Sequence, residues 1–551
     1  MYRHNFTMIK TLWCSLFFLL PVSSGYALDA GKTYYLSQIE PVEAVGTIAR
    51  DCSVEQTALS VGWIPFNRGI GVKAGTGLVF DVTGYNGRFE AWVGLDMRAE
   101  PGSSVQFQVF TDDTLVFDSG IVAWPKYASS ANNPLRPIRV SVSLEGTRSL
   151  RLAVGDAGDG GAKEYADWGD ARLVPMSHPE YCSPQKTPSL ALTPPMGWNS
   201  WNCFGADINE AKIMTIADAM AASGMRDSGY VYLNLDDGWQ ASTTCDAQGV
   251  PQYNTERFPK GMKALADYIH SKGLKFGIYS RPAWVGDHET VAAKTFADWG
   301  VDFIKYDFSD KGTNQTMIQA IQASGRPIVY GVCEWGKEQP WEWAGPMGAE
   351  LWRTTYDVVD RWFVGGDSNR GLGILDAVHQ SEALICSGGR SGWHDPDMLI
   401  VGLNGKSHHG GGCTQAEYRS QFSLWCLLSA PLLAGNDVRS MDAFTKETLL
   451  NHDLIAVNQD ALAVPAWRVK KMPGYEIWKK PMKNGDVVIG LLNLGNITAT
   501  REVSLRDILL KGKYQVRDLW DGKDIGPCDS KLSLEVQAHQ TRVLRFSKIQ
   551  P

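Results

Sequence analysis

Residues 274–280 read LKFGIYS, residues 301–310 read VDFIKYDFSD, and the segment between them ends in the helical pattern TFADWG. Each run is apolar enough for a buried strand, so the pair predicts two parallel strands joined by a helical crossover. The same alternation of strands and helices extends from Pro195 to about Pro465 and contains eight strand candidates. This pattern predicts a closed (β/α)8 barrel.

The eight strand candidates lie in MGWNSW, YVYLNLDDGW, LKFGIYS, VDFIKYDFSD, PIVYGVCEW, ELWRTTYD, GWHDPDML and APLLAGND. The first helix of the barrel is predicted from DINEAKIMTIADAMAASGM, residues 207–225. Asp207 is its predicted N-cap, because Glu210 follows three residues later. Its predicted buried face consists of Ile213, Ile216, Ala217 and Met220.

The chain on either side of the barrel predicts two all-β regions. Residues 34–175 contain SVQFQVF, PIRVSVSL and LRLAV, in which apolar and polar residues alternate, and this is typical of an antiparallel sandwich. Residues 176–194 are rich in Pro and Ser and are predicted to be a linker to the barrel at residues 195–465. Residues 466–551, with Asn-Gly and Asp-Gly turn signals, predict a smaller antiparallel β domain.

Composition and the first residues indicate an exported globular protein. The 551 residues are 44% hydrophobic and carry a net charge of −7, which argues against nucleic acid or an anionic membrane as a partner. Arg3, His4 and Lys10 precede an apolar run at residues 12–22, a pattern typical of a signal peptide at residues 1–27. No later stretch predicts a membrane span. We therefore expect a secreted or periplasmic protein.

Polar residues recur where the predicted barrel strands end. They are Asp236, Asp237, Tyr279, Lys305, Asp307, Glu334, Arg353, Asp357, Asp395 and Asp397. The carboxyl ends of all strands in such a barrel meet at one face, so we expect these side chains to converge. A single carboxylate after a strand is usually a helix cap, but a ring of them is costly unless a ligand uses it.

Two kinds of site need several acids at close range. A divalent metal needs about three or four oxygen or imidazole ligands, whereas a glycosidase needs two carboxylates in distinct roles. His394 is the only histidine at these strand ends. Aromatic residues that suit stacking on a sugar are predicted at the same rim, namely Trp201, Trp239, Tyr279, Trp335 and Trp352. The pattern favours a glycosidase with no metal and no cofactor.

The barrel region resembles glycoside hydrolase family 27, which contains α-galactosidases and α-N-acetylgalactosaminidases. The segments that carry the resemblance, in order and spacing, are PPMGWNSWNCFG, YLNLDDGW, FIKYDFSD, VCEWG, WRTTYDV, GWHDPDML and IAVNQDALA. The resemblance covers the barrel and runs into the C-terminal β domain. It implies a retaining exo-glycosidase that removes terminal α-D-galactosyl residues from oligosaccharides or polysaccharides by double displacement.

The resemblance implies a role for each site residue. Asp307 matches the nucleophile and Asp357 the general acid/base, and we expect their carboxyls to lie about 5 Å apart, as in retaining enzymes. Lys305 would lower the pKa of Asp307, and Asp357 should hold a proton near neutral pH. The residues that match sugar-binding positions are Trp201, Asp236, Asp237, Tyr279, Lys305, Glu334, Arg353 and Asp397. For Asp395 we expect a structural role in the turn, and for Asp360 a solvent-exposed or helix-start role.

Glu334 bears on the substrate. In the acetylgalactosaminidase branch, small residues replace the bulk of CEW, so an intact glutamate implies a free 2-hydroxyl and hence galactose or arabinopyranose. A β-L-arabinopyranosidase, an α-N-acetylgalactosaminidase and a non-catalytic glycan-binding protein remain the alternatives to an α-galactosidase.

The N-terminal sandwich resembles the NPCBM module, a carbohydrate-binding family found attached to glycosidases. The segments that carry this resemblance are WVGLDMRAEPGSSVQFQVFTDDTLVFDSG and YADWGDARL. The resemblance implies either tethering to a glycan or a packing partner for the barrel, and the sequence does not decide between them.

The chain departs from the family 27 pattern around the site. Gly238 and the pair Phe308-Ser309 stand where relatives have cysteines, and YSRPAW replaces the usual acidic segment after the third strand. A disulfide between Cys203 and Cys245 is predicted to replace the first bridge of the family, and one between Cys52 and Cys182 is predicted to join the sandwich to the linker. The segment NGKSHHGGGC, residues 404–413, predicts a surface loop rather than a metal site built on His408, His409 and Cys413.

Overall fold

The structure is a computed structural model that describes residues 28–29, 32–61, 64–124, 137–157, 164–175, 190–365, 371–382, 384, 388–389, 392–407 and 410–549. The predicted signal peptide, residues 176–189 of the predicted linker, Cys182, His408 and His409 lie outside the described residues. In the described part of the chain, no helix is long and apolar enough to cross a membrane.

The N-terminal region is a β-sandwich of two main antiparallel sheets. Its strands are β1 Tyr34–Tyr35, β2 Glu43–Val45, β3 Ile48–Arg50, β4 Leu59–Val61, β5 Ile64–Phe66, β6 Gly69–Lys73, β7 Thr76–Asp81, β8 Gly87–Leu95, β9 Ser104–Thr111, β10 Thr114–Ala123, β11 Ile138–Ser143, β12 Ser149–Asp156 and β13 Tyr165–Pro175. One sheet has the strand order β11-β8-β13-β6-β3, with β1 paired to β13, and the other has the order β10-β9-β12-β7-β2.

Alternation along the strands builds the core of this sandwich, as predicted. Val105, Phe107 and Val109 of β9 are fully buried, while Gln106 and Gln108 between them are not. Side chains of a strand point to opposite faces in turn, so the apolar set faces the second sheet and the glutamines face outwards.

The central region is a barrel of eight parallel strands. They are β14 Met196–Asn199, β15 Tyr232–Leu235, β18 Lys275–Ser280, β19 Phe303–Asp307, β20 Val329–Cys333, β21 Leu351–Arg353, β22 Trp393–Asp395 and β23 Leu432–Ala434. Neighbours in the sheet follow chain order, and β23 pairs with β14. A parallel bridge between Leu399 and Ala434 closes the ring beside β22. The predicted (β/α)8 barrel is confirmed, with all eight strands in the predicted segments.

Helices surround the barrel strands. They are α1 Trp201–Phe204, α2 Glu210–Ala222, α3 Gly261–Ser271, α4 Pro282–Val285, α5 Glu289–Trp299, α6 Lys311–Ser324, α7 Pro340–Met347, α8 Ile374–Glu382, α9 Gln415–Leu428, α10 Ala443–Leu449 and α11 His452–Asn458. The hairpin β16 Gln240–Cys245 with β17 Pro251–Tyr253 extends from the loop after β15.

The predicted buried face of α2 is confirmed, but its predicted N-cap is wrong. Ile213, Ile216, Ala217 and Met220 are all buried. The capping side chain is that of Asn209, which accepts a hydrogen bond from the Lys212 backbone, whereas Asp207 forms an ion pair with the Lys212 ammonium group. Both residues can cap a helix, and the helix begins two residues later than the sequence predicted.

The C-terminal region is a β domain that packs on the barrel. Its strands are β24 Trp467–Met472, β25 Tyr475–Pro481, β26 Val487–Asn493, β27 Ala499–Ser504, β28 Tyr514–Asp518, β29 Lys523–Cys528, β30 Lys531–Val536 and β31 Thr541–Lys548. A six-stranded antiparallel sheet has the order β24-β25-β26-β31-β28-β29, and β27 pairs with β30. Helix α9 lies against this domain, with Trp520 Nε1 donating to Ser423 Oγ at 2.9 Å, and is therefore buried along nearly its whole length.

The cysteines differ from the predicted pairing. Cys203 and Cys245 are both free thiols, so that bridge is not formed. Cys203 Sγ instead lies 3.8 Å from the Ser200 carbonyl oxygen, and burial raises the pKa of this thiol. Cys52 is also a free thiol.

Candidate active site

The predicted site residues follow the carboxyl ends of consecutive barrel strands. Asp236 and Asp237 follow β15, Tyr279 lies in β18, Lys305 and Asp307 end β19, Glu334 follows β20, Arg353 ends β21 before Asp357, and Asp395 ends β22 before Asp397. Trp201 begins α1, two residues after β14, and is half-buried. The barrel therefore gathers these residues at one face, and two cations organise the carboxylates into groups.

Lys305 lies between two carboxylates, and the nearer one belongs to Asp236. Its Nζ is 2.9 Å from Asp236 Oδ2 and 3.9 Å from Asp307 Oδ2. Asn199 Nδ2 donates to the same oxygen of Asp236 at 2.8 Å. Asp307 Oδ1 accepts the backbone N–H of Phe308 at 2.9 Å. Lys305 thus links the ends of β15 and β19, and one carboxylate oxygen of Asp307 lies near its positive charge.

Arg353 organises the second group. Its Nη2 donates to Asp357 Oδ1 at 3.1 Å, and its Nη1 is 3.1 Å from Asp397 Oδ1. Trp335 Nε1 donates to the same oxygen of Asp357 at 3.2 Å. Asp397 Oδ2 accepts the Val358 N–H at 2.7 Å, which fixes the loop that carries Asp357.

The electrostatics of the two central carboxylates agree with the predicted effect of Lys305 on Asp307 but not with the predicted protonation of Asp357. Burial raises the pKa of Asp307, and the attraction of Lys305 acts in the predicted direction without cancelling that effect. Desolvation would also raise the pKa of Asp357, but Arg353 and Lys305 outweigh it and hold the pKa below its ordinary range. The expectation that Asp357 keeps its proton near neutral pH is therefore wrong for this arrangement, because Arg353 stabilises the ionised form.

Two predicted rim tryptophans are core residues instead. Trp239 is buried and packs edge-on against Trp284 and Trp299, with ring centroids 6.1 Å and 5.9 Å away. Trp352 is fully buried, because it alternates with Arg353 in β21 and its ring faces the helices rather than the site. The prediction that both line the rim is wrong.

Tyr279 and Trp335 remain beside the site. Lys305 Nζ lies 5.4 Å from the centre of the Tyr279 ring, and Trp284 supports that ring from 5.1 Å. Burial raises the pKa of Tyr279 and the neighbouring carboxylate of Asp307 adds to the shift, so its hydroxyl keeps its proton. Trp335 is half-buried and reaches Asp357 through its indole N–H.

Asp237 and Glu334 serve their loops in this structure. Asp237 is half-buried, and its Oδ1 accepts Gln240 Nε2 at 2.6 Å. Glu334 is buried, and its Oε2 accepts the Glu338 N–H at 2.8 Å, which shapes the loop that presents Trp335. Burial raises the pKa of Glu334 to about 8, so its carboxyl group is largely protonated at neutral pH. Its Oε1 has no hydrogen-bond partner among the described residues.

The polar residues of strand β22, His394 and Asp395, have structural roles. Asp395 Oδ1 accepts the Asp397 N–H at 2.9 Å, a contact that fits the structural role predicted for Asp395. His394 Nδ1 accepts Trp352 Nε1 at 3.0 Å, and its Nε2 lies 2.8 Å from the Leu384 carbonyl oxygen. Burial lowers the pKa of His394 to about 4, so the imidazole is neutral and acts as a structural link.

Asp360 is a buried anchor, and the prediction of a solvent-exposed or helix-start role is wrong. Its carboxylate accepts the Tyr418 hydroxyl at 2.8 Å and 2.9 Å, the Gly405 N–H at 2.9 Å and the Cys413 N–H at 3.1 Å. The residue thereby holds both ends of the glycine-rich loop that the sequence predicted at residues 404–413. Its partners lie far away in sequence, so no local pattern could show them.

Two residues of the site were not predicted from the sequence. Asn199, the last residue of β14, supports Asp236, and Cys333, the last residue of β20, hydrogen-bonds to Asp307 and lies 3.9 Å from Arg353 Nη1. Both line a cavity at the base of the site together with Lys305. The sequence pattern could have indicated both, because they are polar or polarisable residues at the ends of strands.

Two cations lie among the carboxylates of the site. Lys305 and Arg353 offset part of the repulsion expected of an acidic ring, while the charge of Asp236 still acts to raise the pKa of Asp307. Among the residues that the structure describes, no three His, Cys, Asp or Glu side chains are grouped to hold a metal ion. The arrangement offers hydrogen-bond acceptors and donors for a polar molecule. It also offers two carboxylates, Asp307 near Lys305 and Asp357 beside Arg353, and each cation pairs with a second aspartate as well.

Three known sequence families match the three regions of the chain. Residues 32–174 match the NPCBM/NEW2 domain, residues 193–460 match the family described as alpha galactosidase A, and residues 473–546 match the alpha galactosidase C-terminal beta sandwich domain. The N-terminal sandwich is thus an NPCBM domain, as its sequence indicated.

Individual proteins agree with this. An α-galactosidase of Cyamopsis tetragonoloba is 43% identical over 372 residues, which cover 64% of this chain and 86% of that protein. The crystal structure of α-galactosidase I from Mortierella vinacea is 33% identical, with a TM-score of 0.61, and covers 65% of this chain and 98% of that chain. A GH27 β-L-arabinopyranosidase from Geobacillus stearothermophilus is 25% identical, with a TM-score of 0.59, and covers 66% and 98%.

The aligned relatives share the barrel that presents Asp307 and Asp357, and the matched families extend the likeness into the C-terminal β domain. The chain therefore belongs to glycoside hydrolase family 27, the family of the α-galactosidases.

Proposed function

We propose that this protein is a retaining exo-acting α-galactosidase that removes terminal α-D-galactosyl residues from oligosaccharides or polysaccharides. The observation that carries the proposal is the pair Asp307, at the end of β19, and Asp357, in the loop after β21. Asp307 lies 3.9 Å from Lys305, and Asp357 lies 3.1 Å from Arg353. The catalytic region is similar to the α-galactosidase of Cyamopsis tetragonoloba, and a retaining glycosidase needs two carboxylates in distinct roles.

In the first step, Asp307 attacks the anomeric carbon while the proton of Asp357 passes to the departing glycosidic oxygen. The bond to the leaving group breaks, and a galactosyl ester forms on Asp307. In the second step, Asp357 takes a proton from water, the water oxygen attacks the anomeric carbon, and the Asp307 carboxylate departs. Two inversions give net retention.

The cations support this cycle. Lys305 stabilises the carboxylate of Asp307 that attacks and later departs, although the Asp236 carboxylate is its nearer partner. Ester formation removes the negative charge of Asp307. Arg353 favours the ionised form of Asp357, which suits its role as base in the second step. The first step requires the protonated form, so we expect activity to be highest at acidic pH and to fall as the pH rises.

The polar groups around the pair suit a monosaccharide. We propose that Asp236, Asp237, Lys305, Arg353 and Asp397 bind its hydroxyl groups, with Trp201 and Tyr279 along the ring. The protonated carboxyl of Glu334 would face the 2-hydroxyl, as predicted from the CEW segment. Ion pairs such as Lys305–Asp236 keep these groups ordered before a sugar binds.

Azide rescue tests the two catalytic roles. Asp307→Gly and Asp357→Gly should each lower turnover of 4-nitrophenyl α-D-galactopyranoside by several orders of magnitude. Azide should restore turnover of both, giving the β-galactosyl azide with Asp307→Gly and the α-galactosyl azide with Asp357→Gly. Asp442→Asn, at the N-cap of the distant helix α10, is the control and should retain full activity. The same azide anomer from both variants would refute the assignment.

A β-L-arabinopyranosidase is the second candidate, because the Geobacillus enzyme shares the barrel and arabinopyranose lacks only the hydroxymethyl arm of galactose. Turnover of 4-nitrophenyl β-L-arabinopyranoside and 4-nitrophenyl α-N-acetylgalactosaminide should be compared with that of the galactoside. Faster turnover of either compound than of the galactoside would mean that its sugar, and not galactose, is the preferred substrate. No turnover of any of the three would favour the non-catalytic glycan-binding alternative.

We also propose that residues 1–27 direct export, so the protein acts outside the cytoplasm. Arg3, His4 and Lys10 before the apolar run at residues 12–22 support this. N-terminal sequencing of the protein recovered from the producing cells tests it, and an intact Met1 would contradict it.

A further inference from the structure

The residue that follows Asp307 is an exposed aromatic residue. Phe308 is 60% exposed, although it directly follows the buried end of β19. Its backbone has a φ of 49°, in the left-handed region that is unfavourable for a non-glycine residue. Its N–H donates to Asp307 Oδ1 at 2.9 Å, which ties this backbone conformation to the carboxylate. Neither burial of the ring nor backbone preference explains a phenylalanine here.

Neighbouring side chains hold the Phe308 ring in place. The guanidinium of Arg281 lies 5.5 Å from the centre of this ring and 5.0 Å from that of Trp284, so it contacts both aromatic residues. Trp335 meets Phe308 edge to face, with ring centroids 4.8 Å apart at 80°. Such contacts are favourable because the face of an aromatic ring attracts a cation or the edge of another ring. The ring is therefore supported on more than one side and still exposes more than half of its surface.

The same contacts place Phe308 beside both reacting groups. Trp335 donates its indole N–H to Asp357, the residue from which the leaving oxygen takes its proton under the proposed function. Phe308 touches Trp335 and is bound through its own N–H to Asp307. Phe308 therefore lies next to both groups that react at the glycosidic bond under the proposed function.

We propose that Phe308, supported by Arg281 and Trp335, forms an acceptor subsite that binds the leaving sugar of the substrate. The apolar face of a pyranose stacks on the Phe308 ring, and Arg281 donates hydrogen bonds to its hydroxyl groups. Arg281 Nε has no hydrogen-bond partner among the described residues. This inference rests on the proposed function and extends it to the part of the substrate beyond the terminal sugar.

The charges around the subsite favour a neutral sugar. Arg281 and Lys337 each contact an aromatic ring of the subsite, with the Lys337 ammonium 4.3 Å from the centre of the Trp335 ring. Two carboxylates flank the same loops: Asp310 follows Phe308 by two residues, and Glu338 accepts the Lys311 N–H at 2.6 Å. Groups of both signs therefore surround the subsite, and neither sign is concentrated there to select an anionic or cationic acceptor.

Paired substrates isolate the subsite. In melibiose, galactose is α-linked to glucose, which fills the subsite, whereas in methyl α-D-galactopyranoside a methyl group replaces that sugar. Phe308→Ala should lower the ratio of kcat/KM for melibiose to kcat/KM for the methyl galactoside by about tenfold, mainly through KM for melibiose. Phe308→Tyr should keep the ratio, because it retains the ring. Ile497→Ala, at an exposed apolar position of the C-terminal domain, is the control and should leave the ratio unchanged.

The outcomes separate this inference from the proposed function. A wild-type protein that hydrolyses neither galactoside refutes the proposed function. Hydrolysis of both by wild type, with an unchanged ratio in Phe308→Ala, refutes only the acceptor subsite. An equal fall with Tyr and Ala at position 308 also refutes stacking. If Phe308→Ala fails to fold, Arg281→Met supplies the test, because it removes the hydroxyl donors and should lower the same ratio several-fold.

Discussion

Asp307 and Asp357 have pKa shifts opposite to those that a nucleophile and a general acid usually need. Arg353 touches Asp357, while Lys305 pairs more closely with Asp236 than with Asp307. As a result the pKa of Asp357 is lowered, against the effect of desolvation, and burial raises that of Asp307. Under the proposed function, only the fraction of enzyme with a protonated Asp357 can begin the reaction, so the hydrogen bonds to this residue set the pH range of activity.

Trp335→Phe should shift the alkaline limb of the pH profile of kcat/KM to higher pH, by roughly 0.5–1 unit. The indole N–H stabilises the ionised form of Asp357, and its loss raises the pKa of the acid. The profile is measured with 4-nitrophenyl α-D-galactopyranoside. Trp343→Phe is the matched control, because the Trp343 indole donates to the Glu338 backbone carbonyl and should leave the limb in place. A shift to lower pH would contradict the proposed acid.

At the scale of elements, the buried barrel strands were predictable and the environment of the loops was not. Strands that are covered on both faces carry short apolar runs, so segments such as FIKYDFSD can be recognised as strands from the sequence. The side of a strand on which a given side chain lies is harder to predict, since Trp352 and Arg353 are neighbours in β21 with opposite orientations. Asp360 binds groups 45 to 58 residues away, and only the folded chain brings them together.

A double-mutant cycle measures the anchor of the glycine-rich loop. Asp360→Asn should destabilise the protein by about 2–4 kcal/mol, since it leaves buried N–H groups facing an amide, and Tyr418→Phe by about 1 kcal/mol. The double variant should lose less than the sum, because the two residues share a hydrogen bond. Urea denaturation supplies the free energies of unfolding. Tyr268→Phe, which removes an exposed hydroxyl bond to Asp218, should cost under about 0.5 kcal/mol. Full additivity would contradict the anchor.

At the scale of the whole molecule, the sequence separated three regions because each has its own period of apolar residues. Runs of period two indicated the two β regions, and strand–helix alternation indicated the barrel. Every residue of the candidate site comes from the barrel, and the relative from Mortierella vinacea covers 98% of its own length with 65% of this chain. The barrel with the C-terminal domain is therefore the size of a complete enzyme of the family.

Removal of the NPCBM domain should leave small-substrate turnover unchanged. A chain that begins at residue 190 retains all eight barrel strands and the C-terminal β domain. Its kcat/KM for methyl α-D-galactopyranoside should lie within about twofold of that of the full chain, provided that its circular dichroism spectrum shows a folded protein. A tenfold loss in a folded truncation would show that the NPCBM domain supports the site.

Acid stability should depend on one buried ionic cluster between the barrel and the C-terminal domain. Glu476 is fully buried in β25 and contacts Arg468 and the α8 residue His379, while Arg468 also lies 2.7 Å from Glu382 of α8. Burial alone would raise the pKa of Glu476, but His379 and Arg468 outweigh it and lower the pKa to about 2. A carboxylate with a lowered pKa contributes stability above its unfolded value of 4.5, and this stability is lost as the pH falls through about 2.

Glu476→Gln should therefore destabilise the protein at pH 7 by on the order of 3 kcal/mol. It should also flatten the fall in stability between about pH 4.5 and 2, because the group that titrates there is gone. Chemical denaturation at a series of pH values measures both effects. Glu502→Gln, at an exposed carboxylate of β27, is the control and should change neither. Equal stability of Glu476→Gln and wild type at pH 7 would show that the cluster does not hold the two domains together, since burying its charges would then cost as much as their pairing returns.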